Sequence, residues 1–352
     1  MNRRLISTIL ATMMLVLLSA CGAEKSKDSS KDSTSPTDQT YHWKLAHEEY
    51  EGEYMDIYAR KFKDEVEAKS EGRITVDIYP VGTLGEGTNL VEQLQAGIVE
   101  FACNSPSSTA TLIPEANIFG IDFLLPTELE DAIMLMRDGE AAKYLNTLYE
   151  ERNMHVLDWY SEGYLDWSSN RELRTPADIK GMKMRVQATP LMTICYQAYG
   201  ASPVSVPYME LYSALQLNMA EGQVNGMHTI NTMKFYEVQK YAIRNKFNSF
   251  LAACVANNDY WATLPDDIQQ IAIDACYEAN EYTLGKWYEL DEAAFAAVSG
   301  AGVEVYTLTD DDRAQLEPLI DSKVINAYLE IGGESGEKLY NLMIADKEKL
   351  AN

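Results

Sequence analysis

Histidine and cysteine are scarce in this 352-residue chain, with four of the first and five of the second. His42, His47, His155 and His228 never stand at the HExxH interval of a zinc site, and no two cysteines form a CxxC pair. A P-loop, a G-x-S-x-G elbow and a G-x-G-x-x-G turn after a strand are all missing. Gly82-Thr83-Leu84-Gly85-Glu86-Gly87 is glycine-rich, but its spacing is wrong for a dinucleotide and Glu86 would repel a phosphate. Asp310-Asp311-Asp312 lacks the alternate spacing and glycine of a calcium loop and reads as a helix start. No cofactor, no metal and no catalytic activity are expected. Positive charge is also short: 29 Lys and Arg face 54 Asp and Glu, a formal charge of −25. That balance argues against nucleic acid and an anionic membrane surface as direct partners. Any anionic ligand must be held by a local cation.

Long apolar runs are confined to the beginning of the chain. Arg3 and Arg4 precede Leu5–Ala20, an uncharged stretch of 16 residues that is shorter than the ~20 needed to span a bilayer. It reads as a secretory signal over residues 1–20. The sequence Leu18-Ser19-Ala20-Cys21-Gly22 is similar to a bacterial lipobox, in which the Cys21 thiol is lipidated and becomes the first residue. Residues 21–40 are then expected as the lipidated cysteine and a Ser- and Lys-rich flexible tether. The predicted localisation is extracytoplasmic, anchored to the bacterial cell membrane by lipid. The remaining Cys103, Cys195, Cys254 and Cys276 match no disulfide or metal framework and are expected as buried free thiols, with pairing left open.

From Tyr41 the chain alternates short strands with helical stretches. Trp43–His47, Arg73–Tyr79, Met154–Trp159 and Lys183–Val186 read as strands. Met55–Lys69, Leu90–Ala96, Met209–Met219 and Ile268–Ala297 read as helices. The alternation predicts an α/β protein with helix-covered sheets.

Three segments carry a resemblance. They are Ile78-Tyr79-Pro80-Val81-Gly82-Thr83-Leu84-Gly85 with Leu94-Gln95-Ala96-Gly97, then Thr175–Val186, then Gly200–Val204 through Glu221-Gly222-Gln223-Val224-Asn225 to Phe235–Tyr241. In this order they resemble the extracytoplasmic solute-binding subunit of TRAP transporters, the C4-dicarboxylate-binding-subunit family, over residues 41–345. Ala46–Gly52 and Ser105-Pro106 through Leu112-Ile113-Pro114 look closest to its ectoine-binding branch. The resemblance implies a two-lobed periplasmic-binding-protein-like fold of type II, its lobes joined by crossing strands and a long helix. Lobe 1 would comprise residues 41–162 plus 251–290, and lobe 2 residues 163–250 plus 291–352. A monomer would bind a small organic acid between the lobes and deliver it to membrane permease subunits. A ligand-sensing lipoprotein that serves a membrane kinase is the other reading of such a receptor.

The same resemblance assigns residues. Arg185 alone reads as part of a solvated strand face; in the family motif its guanidinium grips the ligand carboxylate, which it can bond bidentately. Asn225 alone reads as a turn or cap residue; it matches a family asparagine whose amide can donate to a carboxylate or accept from a hydroxyl, although Val224 and Gly226 depart from the usual neighbours. Tyr208 falls at an aromatic position beside the ligand and otherwise reads as a core tyrosine. Glu48 or Glu49, with Glu49 preferred, resembles the acceptor for a cationic ligand group; the plainer reading is a helix N-terminus. Leu165 stands where many members carry a second arginine, which disfavours a dicarboxylate or a sugar acid held by two cations. His228 and Ser108 replace two aromatics of the ectoine-like branch, and Trp167 is the residue that could compensate. The expected ligand is a small carboxylate, zwitterionic if ectoine-like. A hydroxy or keto acid, or a small sulfonate, comes next.

Overall fold

The computed structural model describes residues 39–320 and 322–350. The signal segment, Cys21 and the tether to residue 38 lie outside the described residues.

Two sheets organise the body. The first has the order β2-β1-β3-β10-β4 and contains β1 (Tyr41–His47), β2 (Ile74–Tyr79), β3 (Phe101–Asn104), β4 (Met154–Tyr164) and β10 (Ser249–Asn257). The second has the order β11-β9-β5-β8-β6-β7, from β5 (Trp167–Ser169), β6 (Lys183–Val186), β7 (Ser202–Ser205), β8 (Gly222–Val224), β9 (Tyr241–Arg244) and β11 (Glu304–Thr307). β1 is parallel to β2 and β3, and β6 is parallel to β7 and β8. β10 runs antiparallel to β3 and β4. The chain therefore leaves the first sheet at β4–β5 and returns to it at β9–β10. This is the two-lobed α/β architecture expected from the resemblance.

The strand pattern follows side-chain period. β2 buries Ile74 and Val76 and exposes Thr75 and Asp77, the alternation of a strand with one covered face. The helix Tyr54–Lys69 buries Met55, Tyr58, Ala59, Phe62 and Val66, an i, i+3, i+4 stripe that lies against the first sheet. Phe62 joins Trp43 and Phe101 there in one aromatic cluster. The helix Asp266–Gly300 has 35 residues, roughly 50 Å of length, and packs on Tyr54–Lys69, β4, Met227–Thr232 and β11. It thus touches elements of both sheets.

One expectation needs adjustment. Met209–Met219 is not one helix: a 3₁₀ turn, Tyr208–Glu210, leads into the helix Leu211–Gln216. Asn218 takes the left-handed conformation, φ 55°, which ends the helix and leaves Leu217 and Met219 exposed. The last helix, Ser322–Leu350, runs along Pro114–Gly120, Leu129–Asp138 and Glu140–Glu150 as well as Pro190–Ala198. Its apolar side chains Tyr328, Leu339 and Met343 join the core shared by those segments. Among the described residues no helix is long and apolar enough to cross a membrane. Cys103, Cys195, Cys254 and Cys276 are free and buried, with Cys103 and Cys254 opposite each other on β3 and β10.

Candidate ligand-binding cleft

Parallel strands collect loops at their carboxyl ends, and both sheets turn those ends toward one cavity of about 270 Å³. From the first sheet come Glu48 and Glu49 after β1, Glu86, Gly87 and Thr88 after β2, and Ser105, Ser107 and Ser108 after β3. From the second come Arg185 on β6 with Gln187 beyond it, Val206 and Tyr208 after β7, and Asn225 after β8. Phe250 of β10 and Met55 of the helix Tyr54–Lys69 also line it. The short strands of the second sheet explain how residues 40 positions apart in sequence share a wall.

Arg185 is 4 % exposed, so the solvated strand face does not apply to it; only Lys183 faces water. Its Nε donates to the Val206 carbonyl at 3.0 Å, which fixes the guanidinium plane. Nη1 is buried without a hydrogen-bond partner. Burial lowers its pKa to about 10, and it remains cationic at neutral pH. A buried guanidinium with an idle donor on a cavity wall is a docking point for an anion.

Opposite it lie carboxyl groups. Glu49 is 8 % exposed, and its Oε2 accepts the Met55 backbone N–H at 2.8 Å. Burial, then the charge of Glu53, raises its pKa well above the usual carboxylate range. Glu48 accepts from the Ser105 N–H and hydroxyl, each at 3.1 Å, and burial pushes it up to about 6. Behind them Glu162 of β4 is buried with both oxygens unpartnered, and burial and then Glu49 raise its pKa. Asn225 is held by its backbone N–H on the Asp166 carbonyl, 3.0 Å, and by its side-chain amide on Gln223 Oε1, 2.6 Å. Tyr208 presents its ring to the cavity, while its hydroxyl donates to Glu53 Oε2 at 2.7 Å.

Arg185, Asn225, Tyr208, Glu48 and Glu49 therefore share the cavity. Trp167 and His228 do not line it. The Trp167 Nε1–H donates to the Tyr196 hydroxyl at 2.7 Å, and its ring sits edge-on to Tyr196, Tyr199 and Phe247, a packing role. His228 donates from Nε2 to the Gly52 carbonyl at 3.1 Å and packs on Tyr54. Leu165 is buried outside the cavity wall. Sequence reasoning missed Glu53 and Glu162, and dismissed Glu86 with the glycine-rich turn. The signal available for Glu86 was only its place after a parallel strand.

The fold and the cleft define a two-lobed receptor for a small solute. The model of the bacterial extracellular solute-binding protein family 7 matches residues 45–330, and the chain belongs to that family, which supplies the solute receptors of TRAP transporters. The chain is 32 % identical over 313 residues to the ectoine/5-hydroxyectoine-binding periplasmic protein UehA of Ruegeria pomeroyi, covering 88 % of this chain and 91 % of that one. It is 33 % identical over 306 residues to the ectoine-binding periplasmic protein TeaA of Halomonas elongata, covering 86 % and 89 %. A TRAP periplasmic solute-binding protein from Desulfovibrio salexigens, solved with bound orotic acid, superimposes with a TM-score of 0.84 at 29 % identity, covering 88 % of this chain and 99 % of that one.

Proposed function

We propose that this receptor captures a small zwitterion of the ectoine type and delivers it to a TRAP permease. Arg185 and Asn225 hold its carboxylate, Glu49 accepts from its cationic end with Glu48 alongside, and Tyr208 covers it. The observation that carries this reading is the idle Arg185 donor on the same small cavity as Glu48 and Glu49. One buried guanidinium against three carboxyl groups, Glu48, Glu49 and Glu86, suits one negative and one positive ligand group. It opposes a dianion, whose second carboxylate would meet those acids. The names of two relatives, both ectoine receptors, agree in chemical class. On this proposal the segment 163–250 closes against 41–162 and 251–290, and the chain is held at the membrane through lipidated Cys21.

The test is thermal unfolding of the full chain with 1 mM ectoine, 5-hydroxyectoine, amino acids, dicarboxylates, hydroxy acids or sulfonates. A micromolar ligand adds about 4 kcal/mol, a rise of several degrees. Zwitterions should give that rise, and Arg185→Ala should remove it. A larger response to dicarboxylates, or one that survives the substitution, overturns the reading.

A further inference from the structure

Glu53 belongs to neither cavity wall, yet it is the most enclosed carboxylate near the cleft, at 0 % exposure. It precedes the helix Tyr54–Lys69, which packs on the first sheet. Its partners come from the opposite side. The Tyr208 hydroxyl, after β7, donates to Oε2 at 2.7 Å. The Thr232 hydroxyl, at the end of Met227–Thr232, donates to Oε1 at 2.7 Å. The Tyr50 backbone N–H adds a local bond at 3.1 Å. Beside this carboxylate His228 reaches the Gly52 carbonyl, and the Tyr50 and Tyr208 rings meet with centroids 5.8 Å apart. Four contacts from three side chains of the second-sheet side thus converge on the short turn Tyr50–Glu53.

We infer that Glu53 is a positioning residue that latches the two lobes together and holds Tyr208 over the bound solute. The inference rests on the receptor reading above and extends it. A carboxylate bonded from the far lobe by two hydroxyls can keep those bonds only while the cleft is closed. Opening must exchange them for water. Because Tyr208 is both a latch donor and a cavity wall, a solute that packs on its ring also sets its hydroxyl on Glu53. A solute in the cleft then adds to a closure that the Glu53 bonds already favour, which is how a ligand shifts a two-state equilibrium. Hydrogen bonds made only in the closed form slow release and leave encounter unchanged.

The experiment compares the full chain with Glu53→Ala, Tyr208→Phe and Thr232→Val, using ectoine as the probe. Stopped-flow fluorescence reads association and dissociation separately. Hydrogen exchange of the ligand-free chain reads residues 206–212 and 226–233. Glu53→Ala should speed ectoine dissociation about tenfold or more with association unchanged, and should raise exchange in both windows. Tyr208→Phe and Thr232→Val should each reproduce the exchange increase in their own window only, with β4 unchanged as the control for folding. If Glu53→Ala does not fold, the Tyr208→Phe/Thr232→Val pair carries the same dissociation prediction with the helix start intact. Unchanged exchange in both windows overturns the latch, as does a loss expressed wholly in association. Should the wild-type chain fail to bind ectoine, the ectoine-type reading falls, and the exchange data alone decide the latch.

Discussion

Arg185 shows how little a residue's identity says before its surroundings are known. Its Nε is tied to Val206 and its Nη1 is free in a buried wall, so replacement removes a charge-assisted bond from a desolvated site. Arg185→Ala should weaken ectoine binding at least a hundredfold by calorimetry, and Arg185→Lys should restore little, because an ammonium cannot bond both carboxylate oxygens from that geometry. The acids opposite set a pH dependence. Glu48 is raised from 4.5 to about 6, so the folded chain holds its proton where the unfolded chain has released it. That contribution to stability is complete below pH 4.5 and is lost as pH rises through about 6, on the order of 2 kcal/mol. A cationic ligand group acts in the opposite direction, since it needs the carboxylate. Ectoine affinity should therefore climb between pH 5 and 7 and binding should release protons. Calorimetry in buffers of different ionisation enthalpy checks this, and Glu48→Gln should flatten the climb.

Among the elements, the first crossing between sheets leaves no room for a side chain at Gly163. Gly163, near the end of β4, has φ +93°, and a Cβ there would lie 1.8 Å from Trp287 Nε1 on the helix Asp266–Gly300. Both the left-handed backbone and the indole forbid a side chain. Gly163→Ala should cost about 3 kcal/mol or more, a fall in Tm of roughly 4 °C or greater. Next to it the second crossing is pinned by the Asn245 N–H on Asp166 Oδ1, 3.1 Å, and by the ion pair of Arg244 with Asp291. Trp167 belongs to this scale too. Trp167→Phe keeps an aromatic ring but loses the donor to Tyr196; it should lower Tm while leaving ectoine affinity within twofold, whereas Tyr208→Ala should weaken ectoine binding about tenfold or more.

At the scale of the whole molecule, the proposed function couples two sheets through one small cavity. A ligand that touches Arg185 and Glu49 at once stabilises only the form in which both walls are near, which is the differential affinity that a population shift requires. Ectoine at one hundred times its Kd should add about 2.7 kcal/mol to unfolding. Small-angle scattering should show no expansion on binding, and a contraction wherever the free chain samples an open form. The proposed anchoring is tested separately: Cys21→Ala should move the chain from the membrane pellet to the soluble fraction, with ligand affinity unchanged.

Sequence alone determined the alternation of strands and helices, because side-chain period is a local property: β1, β2, β6 and the long helix all fall where it predicts. Spaced motifs gave the family, and with it Arg185, Asn225, Tyr208, Glu48 and Glu49. It could not separate those residues from Trp167 and His228. All seven are polar-tipped or aromatic residues beside short strands, and only the tertiary fold decides which of them face the cavity. Burial of Arg185 is likewise decided there, since it depends on β7, β8 and the opposing lobe rather than on its own strand. Glu53 was invisible for the same reason. Its partners stand 155 and 179 residues away, and their meeting is a consequence of closing one sheet over the other.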